Sequence, residues 1–584
     1  MFANFLNICT YFKLSDDLQR WRLQVKAEQQ RSLHQYIRNK NDQEGSSFQK
    51  LSDIYVELRM LDKSETYTRA AQRKQFNSLI PTTQIENYPK INLSDLFSAE
   101  NSEMPKPVRS LVTGLAGVGK TSLCLHIVEQ SLKGELLPHG IHHVFLIHLR
   151  YLAASNSCSI EDIFFKHQKG VVKPSAETIG EFFKQLDAEP EKTLLILDGW
   201  DEINTETTEE NYVDLHYTEQ VDMPRLVISI INRSIIPLVR ILVTSRPRSI
   251  TSSFDFDRKA RIYGFTPDKV DDYIVKFSSK DNNLQTQIKE YIDANVNIQS
   301  ICSIPVHLNM ICRIVKDKVD QKSNPDLPET LTELFVAAVE NILSNHRPEF
   351  KNMEVRKRGN VIAIIKEDVL NHARIAQYGM EHKPIKITFT EGEMDKFQLA
   401  NVATICGLMT GSVETSNVTF KRSSKQVFNF QHLTLQEFFA AVQLLSDIKQ
   451  VEHMTSKHSD GQLDVMLVFM AGLLGNSRTA QFLKSLQLTS TVHLDDLVKL
   501  VVSMEQRNEA NESDELDRSK AHKGSTLVLM MLLYESRQLD MWHHMSEYIL
   551  ENSTVLDLSD YIISPTELLA LVYVLPTIRI TSLM

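Results

Sequence analysis

The chain has no apolar run of the roughly 18–20 residues that a membrane helix needs. Its longest such stretches, Leu463–Leu474 and Ser234–Val243, are core-sized. The start, Met1–Phe12, is mildly apolar but lacks the basic residues that open a signal peptide. Cysteine is scarce and scattered, at Cys9, Cys124, Cys158, Cys302, Cys312 and Cys406. No two of these stand at CxxC spacing, which argues against a zinc site or a dithiol redox motif and favours buried free thiols in a reducing compartment. Excess positive charge is also missing: 64 Lys and Arg face 74 Asp and Glu, a formal net charge of −10. That balance argues against a nucleic-acid partner. Together these absences predict a cytoplasmic protein without a membrane span.

What is present is the ordinary composition of a globular chain, 42% hydrophobic and 24% charged. At 584 residues it is too long for one core and predicts several domains. The first hundred residues are polar and mostly helical in pattern, with Leu18, Trp21, Leu23 and Val25 lightly spaced among charges. After the Pro-flanked stretch Met104–Pro107 the character changes. Short apolar runs at Leu111–Thr113, Val144–Leu149, Leu194–Leu197 and Ile241–Thr244 alternate with helix-length amphipathic segments. Parallel strands need helical crossovers and are buried on both faces, so this alternation predicts an α/β domain with a parallel sheet. Beyond Pro247 the strands are expected to stop, and helical spacing dominates from Thr266 to Glu551. One exception is Val418–Phe420 and Val427–Phe430 with polar Lys421–Lys425 between, which predicts a β-hairpin ahead of a helix near Leu433, the outline of a winged helix. The last segment, from Val555–Ser559 through Leu568, Leu569, Leu571 and Leu575 to Ile580–Met584, reads as the opening of a leucine-rich repeat array, vestigial or cut off here.

The chemistry concentrates in three places. Gly114, Leu115, Ala116, Gly117, Val118, Gly119, Lys120 and Thr121 spell G-x-x-x-x-G-K-S/T, followed by Ser122, between an apolar strand and an amphipathic helix. Glycines let backbone N–H groups close around phosphate oxygens, and the helix start adds positive dipole. Lys120 would reach the β/γ-phosphates and Thr121 would ligate Mg²⁺. Second, Leu194–Leu197 delivers Asp198 to the C-terminal end of a strand, where a carboxylate can hold Mg²⁺. Asp201 and Glu202 follow as acids able to orient or deprotonate a water. Alone, that run reads equally as an acidic surface turn. Third, Ile241–Pro247 ends a strand in Arg246, either a γ-phosphate sensor or a solvated strand cap. Other signals carry less. Asn39–Asp42 spells a guanine-specifying pattern but precedes the glycine loop, Glu206–Asp214 reads as a solvated loop, and His142, His143 and His148 have no acid partner in sight.

These pieces resemble the NACHT family of P-loop ATPases. Asp198-Gly199-x-Asp201-Glu202 is similar to its extended acidic motif and Thr244–Pro247 to its sensor strand. Gly264–Thr266 and Leu327–Leu334 resemble further segments of it, and Ile304–Val306 its proline motif, where Pro305 would pack near base and sugar. Phe430–Ala441 is similar to the winged-helix signature of NOD-like receptors, and Ile54–Leu58 to the FISNA segment that in relatives lies over adenine. Without the resemblance His432 reads as a helix cap and Pro305 as a helix boundary; with it, His432 would contact the β-phosphate of ADP. The likeness covers residues 47–584. It implies a polar helical segment at 1–46, a FISNA-like segment at 47–100, a nucleotide domain at 101–260, a first helical domain at 261–330, a winged helix at 331–445, a second helical domain at 446–550 and repeats from 551–584. The stretch before residue 47 is shorter than a death-fold effector domain. The implied function is an ATP/ADP switch with Mg²⁺, held closed by ADP, that oligomerises on exchange and engages an unidentified effector, in innate immune or stress signalling. Slow Mg-dependent hydrolysis would act as a timer. A constitutive P-loop ATPase doing remodelling work is the alternative.

Overall fold

The computed structural model describes residues 15–44, 51, 55–62, 90–97, 108–114, 117–149, 157–166, 171–202, 215–246, 254, 256–279, 281–321, 328–346, 366–382, 385–399, 408–418, 421–430, 433–458, 462–475, 477–511, 528–538 and 565–574. The chain opens on helix α1 (Asp16–Glu44), then strands β1 (Arg59–Asp62) and β2 (Lys90–Ile91). The α/β part follows: β3 (Arg109–Gly114), α2 (Lys120–Lys133), β4 (His143–His148), α3 (Ile160–Phe165), α4 (Ala176–Ala188), β5 (Thr193–Asp198), α5 (Met223–Ile231), β6 (Arg240–Ser245) and β7 (Arg258–Gly264).

These seven strands form one sheet in the order β2-β1-β7-β3-β6-β5-β4. The five from β7 to β4 run parallel, and β1 and β2 add an antiparallel edge. Every residue of β3, β5 and β6 is buried, as strands covered by helices on both faces must be. Strands did not stop at Pro247. β7 lies between β3 and β1, and its sequence Arg258-Lys259-Ala260-Arg261 hides it, because charges interrupt the apolar pattern while Ala260 and Ile262 still bury.

The N-terminal helix is part of this domain. Leu18, Trp21, Val25, Leu33 and Ile37 repeat at helical intervals and are buried, whereas Leu23 is half exposed. Gln29 sits in the same stripe and donates from Nε2 to the Val144 carbonyl at 2.7 Å. The Trp21 ring packs on Phe165, Phe182 and Phe145, with centroids 4.7, 5.6 and 6.2 Å away. The face it meets comes from α4, where Ile179, Phe182, Phe183 and Leu186 bury one stripe behind a Ser175 cap.

The remainder is mainly helical: α6 (Pro267–Ser278), α7 (Asn282–Asp293), α8 (Val296–Cys302), α9 (Pro305–Gln321), α10 (Leu331–His346) and α11 (Lys366–Met380). Then come β8 (Thr388–Thr390), α12 (Glu391–Lys396), β9 (Met409–Val418), β10 (Lys421–Phe430), α13 (Leu433–Leu444), α14 (Ile448–Lys457), α15 (Asp464–Gly475), α16 (Ser477–Ser485), α17 (Leu494–Asn511), helical turns at 528–536 and α18 (Pro565–Val574). The hairpin exists but is longer than its sequence suggested. Lys421–Lys425, read as the turn, pairs with residues 414–418 inside β10, and β8 joins as a third strand. A helix, α13, follows directly, buried between α11 and α15, with Phe438 against Phe335, Phe469 and Phe482. Buried Glu535 caps the start of α10 from 203 residues away, accepting from Thr332 N and Oγ1 at 3.0 and 2.8 Å. Of the expected repeat array only α18 falls within the described residues.

Candidate functional site

The turn from β3 into α2 carries the glycine motif. Gly117 and Gly119 hold φ of +74° and +105°, a region open to glycine and strained for other residues. Both are also pressed by neighbours. A Cβ on Gly117 would stand 2.2 Å from Val306 Cγ1, and one on Gly119 would stand 3.1 Å from Leu58 Cδ1. The start of α9 therefore lies on the loop, and Val306 N donates to Gly117 O at 3.4 Å. Pro305 is the first residue of that helix. Lys120 Nζ donates to Gly114 O at 2.7 Å, folding the ammonium back over the turn. Ser122 Oγ shares a 2.9 Å hydrogen bond with Tyr36 OH of α1. Val118 is buried, and Leu115 and Ala116 lie outside the described residues.

Asp198 ends β5 beside this turn and is 2% exposed. Its Oδ2 accepts from Thr121 Oγ1 at 2.9 Å and meets His148 Nδ1 at 3.0 Å. Its Oδ1 accepts from Thr244 Oγ1 at 2.6 Å and from Cys124 Sγ at 3.6 Å. Gly199 N donates to Thr244 Oγ1 at 2.9 Å, so the Thr244 proton is committed to the carboxylate. Burial, then the charge of Asp198, pushes the Cys124 thiol well above its ordinary range, so it stays a neutral donor. The Thr121 hydroxyl and a carboxylate at the end of a central strand form an oxygen pair suited to a hard divalent cation.

Arg246, just past β6, is tied on two sides. Its backbone N and Nε reach Asp201 Oδ1 and Oδ2, each at 3.1 Å, and its Nη1 reaches Glu437 Oε1 of α13 at 2.8 Å. Glu437 is wholly buried, and burial raises its carboxyl above the usual range while Arg246 pulls the other way. Glu202 closes the short turn Trp200–Glu202 that carries Asp201. His432 lies outside the described residues.

The fold thus gathers Thr121, Asp198, Asp201 and Arg246 at the ends of neighbouring strands, with Val306 and Ile304 of the segment that contains Pro305 against Gly117. The sequence reading missed four contributors. His148 has no acid near it in sequence, but it stands opposite Asp198 in the β4–β5 register, so the acid lies on the next strand. Glu437 was read as one of a signature run and is the far end of the Arg246 bridge. Tyr55 stacks on His126 at 4.1 Å and 15°, and its carbonyl accepts from Lys276 Nζ at 2.7 Å, pinning the FISNA-like segment to α2 and α6. Tyr36 brings α1 to the loop. The fully buried Cys124, Cys158, Cys302 and Cys312 are free thiols, while Cys9 and Cys406 lie outside the described residues.

Residues 108–281 match the profile of the NACHT domain. The chain is 23% identical over 494 residues to NACHT, LRR and PYD domains-containing protein 1b allele 3 of Mus musculus, covering 81% of this chain and 38% of that protein. It is 24% identical over 488 residues to NACHT, LRR and PYD domains-containing protein 3 of the same organism, covering 78% and 44%. The chain therefore spans about two fifths of the length of these relatives. A signal transduction ATPase with numerous domains from Pyrococcus horikoshii, carrying a tetratricopeptide repeat sensor, superposes at 14% identity and a TM-score of 0.25, over 76% of this chain and 59% of its own, a likeness too loose to bear on function. Among the described residues no helix is long and apolar enough to cross a membrane.

Proposed function

From a chain that carries a NACHT domain at residues 108–281 and is homologous over 81% of its length to a NACHT, LRR and PYD domains-containing protein, we propose an ATP/ADP-controlled signalling switch of the NOD-like receptor type. The observation that carries this reading is the bridge from Arg246 at the nucleotide site to buried Glu437 of α13, 191 residues away. It gives the phosphate end of the α/β domain a direct handle on the hairpin-and-helix unit.

Nucleotide binds with its phosphates on the glycine loop. The backbone amides from Gly117 to Thr121 and the start of α2 supply the positive field, and Lys120 leaves Gly114 O for the phosphates. The site's donor set fits Mg²⁺. Thr121 would hold it directly and Asp198 through water, and the ion would screen phosphate charge. Asp201 keeps both oxygens on Arg246, so it can serve as a base only after that pair parts. Hydrolysis in the closed form is accordingly slow, and Glu202 is the other candidate acid.

In this reading ADP would hold the closed form, His432 being the proposed contact, and ATP would compete with Glu437 for Arg246. A nucleotide moves such an equilibrium only by its differential affinity, and going from 1:99 to 99:1 takes about 10⁴-fold. Opening then permits self-association and engagement of an effector, with a leucine-rich region as sensor.

The test is the nucleotide released from purified protein on denaturation, read by mass spectrometry. Wild type should carry ADP at near one per chain, and Lys120→Ala should carry almost none. Tight nucleotide retention by Lys120→Ala would remove the site assignment, and steady-state turnover of about 1 per second or faster would favour a working ATPase over a switch.

A further inference from the structure

Asp198 is surrounded more completely than a magnesium-holding acid needs. An ionised carboxylate offers about four lone-pair directions. Here at least four protein donors among the described residues meet it: Thr121 and His148 at Oδ2, Thr244 and Cys124 at Oδ1. Any water brought in by a cation must donate to this same carboxylate, so one protein donor has to give way.

Three of the four are poorly placed to yield. Thr244 is fully buried and its proton is fixed by the bond it accepts from Gly199 N. Cys124 is fully buried within α2. Thr121 can offer its oxygen to the cation while its proton stays on Asp198. His148 differs from these. It stands at the last position of β4, opposite Asp198 in register, and its side chain is 26% exposed against 3% for the acid.

We propose that His148 is a positioning residue that competes with magnesium-bound water for Asp198 and so sets how strongly nucleotide binding depends on magnesium. This rests on the nucleotide-site reading above. With His148 on Oδ2 the carboxylate is satisfied without metal, and a diphosphate can sit on the loop with little help from the cation. A magnesium-bound water would compete with the imidazole for Oδ2. The histidine thereby sets a threshold on the metal-bound state rather than taking part in the chemistry.

The experiment titrates magnesium against a fluorescent non-hydrolysable ATP analogue bound to the full chain, in wild type, His148→Ala and His148→Asn. Removing the competitor in His148→Ala should lower the half-saturating magnesium concentration about tenfold, the worth of one hydrogen bond to a charged group. Asn places an N–H donor near the position of Nδ1, so His148→Asn should keep a requirement close to wild type. An unchanged or raised requirement in His148→Ala overturns the proposal, as does an Asn variant that follows Ala. Failure of folded wild type to bind the analogue at all would remove the nucleotide-site reading and this one together. Normal binding without the shift removes this one alone.

Discussion

Arg246→Ala, alone and combined with Glu437→Gln, tests the bridge between the two halves of the molecule. Arg246 Nη1 stands 2.8 Å from Glu437 Oε1, Glu437 is wholly buried, and its Oε2 has no hydrogen-bond partner among the described residues. Removing the arginine leaves a buried carboxylate without its cation. Breaking such a pair costs about 3–5 kcal/mol, and the lower end applies because Glu437 can take up a proton in response. Glu437→Gln alone is gentler: Arg246 keeps Asp201, the amide still accepts, and the change from a charge-assisted to a neutral bond costs about 1 kcal/mol. In the double variant Asp201 still loses the guanidinium, as it does in Arg246→Ala, but the buried Glu437 charge is gone, so the cost should fall short of the sum by about 2 kcal/mol. The readout is amide hydrogen exchange along α13, which reports local opening where a multidomain melt would not be two-state. A 3 kcal/mol loss corresponds to roughly 150-fold faster exchange, and self-association should rise in parallel. Costs that add to within about 0.5 kcal/mol would show that Arg246 and Glu437 do not act as one unit, and the bridge would lose its place in the switch.

Two further outcomes are expected. Trp21→Ala should cost about 3–5 kcal/mol by emptying the pocket among Phe145, Phe165 and Phe182, whereas Leu23→Ala, half exposed on the same helix, should stay within about 0.5 kcal/mol; equal effects in denaturant titrations would mean α1 is not part of the domain core. His307, buried in α9 against Phe335, is held by burial at about 4 instead of 6.5. It stays neutral in the folded chain while the unfolded chain protonates first, so its contribution is full above pH 6.5 and is lost as pH falls toward 4, at about 1.4 kcal/mol per pH unit. His307→Leu should flatten the stability of the chain between pH 6.5 and 5 relative to wild type, and equal slopes would show that His307 is not the group responsible.

Much of the α/β domain could be read from short stretches of sequence. The runs at Leu111, Val144, Leu194 and Ile241 became β3, β4, β5 and β6 because a strand buried on both faces must be apolar throughout. The strand β7 was missed because arginines and a lysine break that pattern. The hairpin was found but its turn misplaced, since polar residues on a strand look like a loop when the pairing partner is unknown. In α1 the apolar residues were visible, but only the docked helix shows that Leu18, Trp21, Val25, Leu33 and Ile37 make one stripe against α4, β4 and α2.

The sequence by itself determined the glycine loop, its lysine and threonine, and the acid at the end of an apolar strand, because each depends on residues within one turn or one strand. Only the tertiary structure decided who surrounds that acid. Thr121, His148, Thr244 and Cys124 come to Asp198 from 77, 50, 46 and 74 residues away, and Glu437 comes to Arg246 from 191. Those meetings follow from strand order and register, and from how α13 packs on the domain. These are properties of the whole hydrogen-bonded sheet and its covering helices, and no local spacing encodes them.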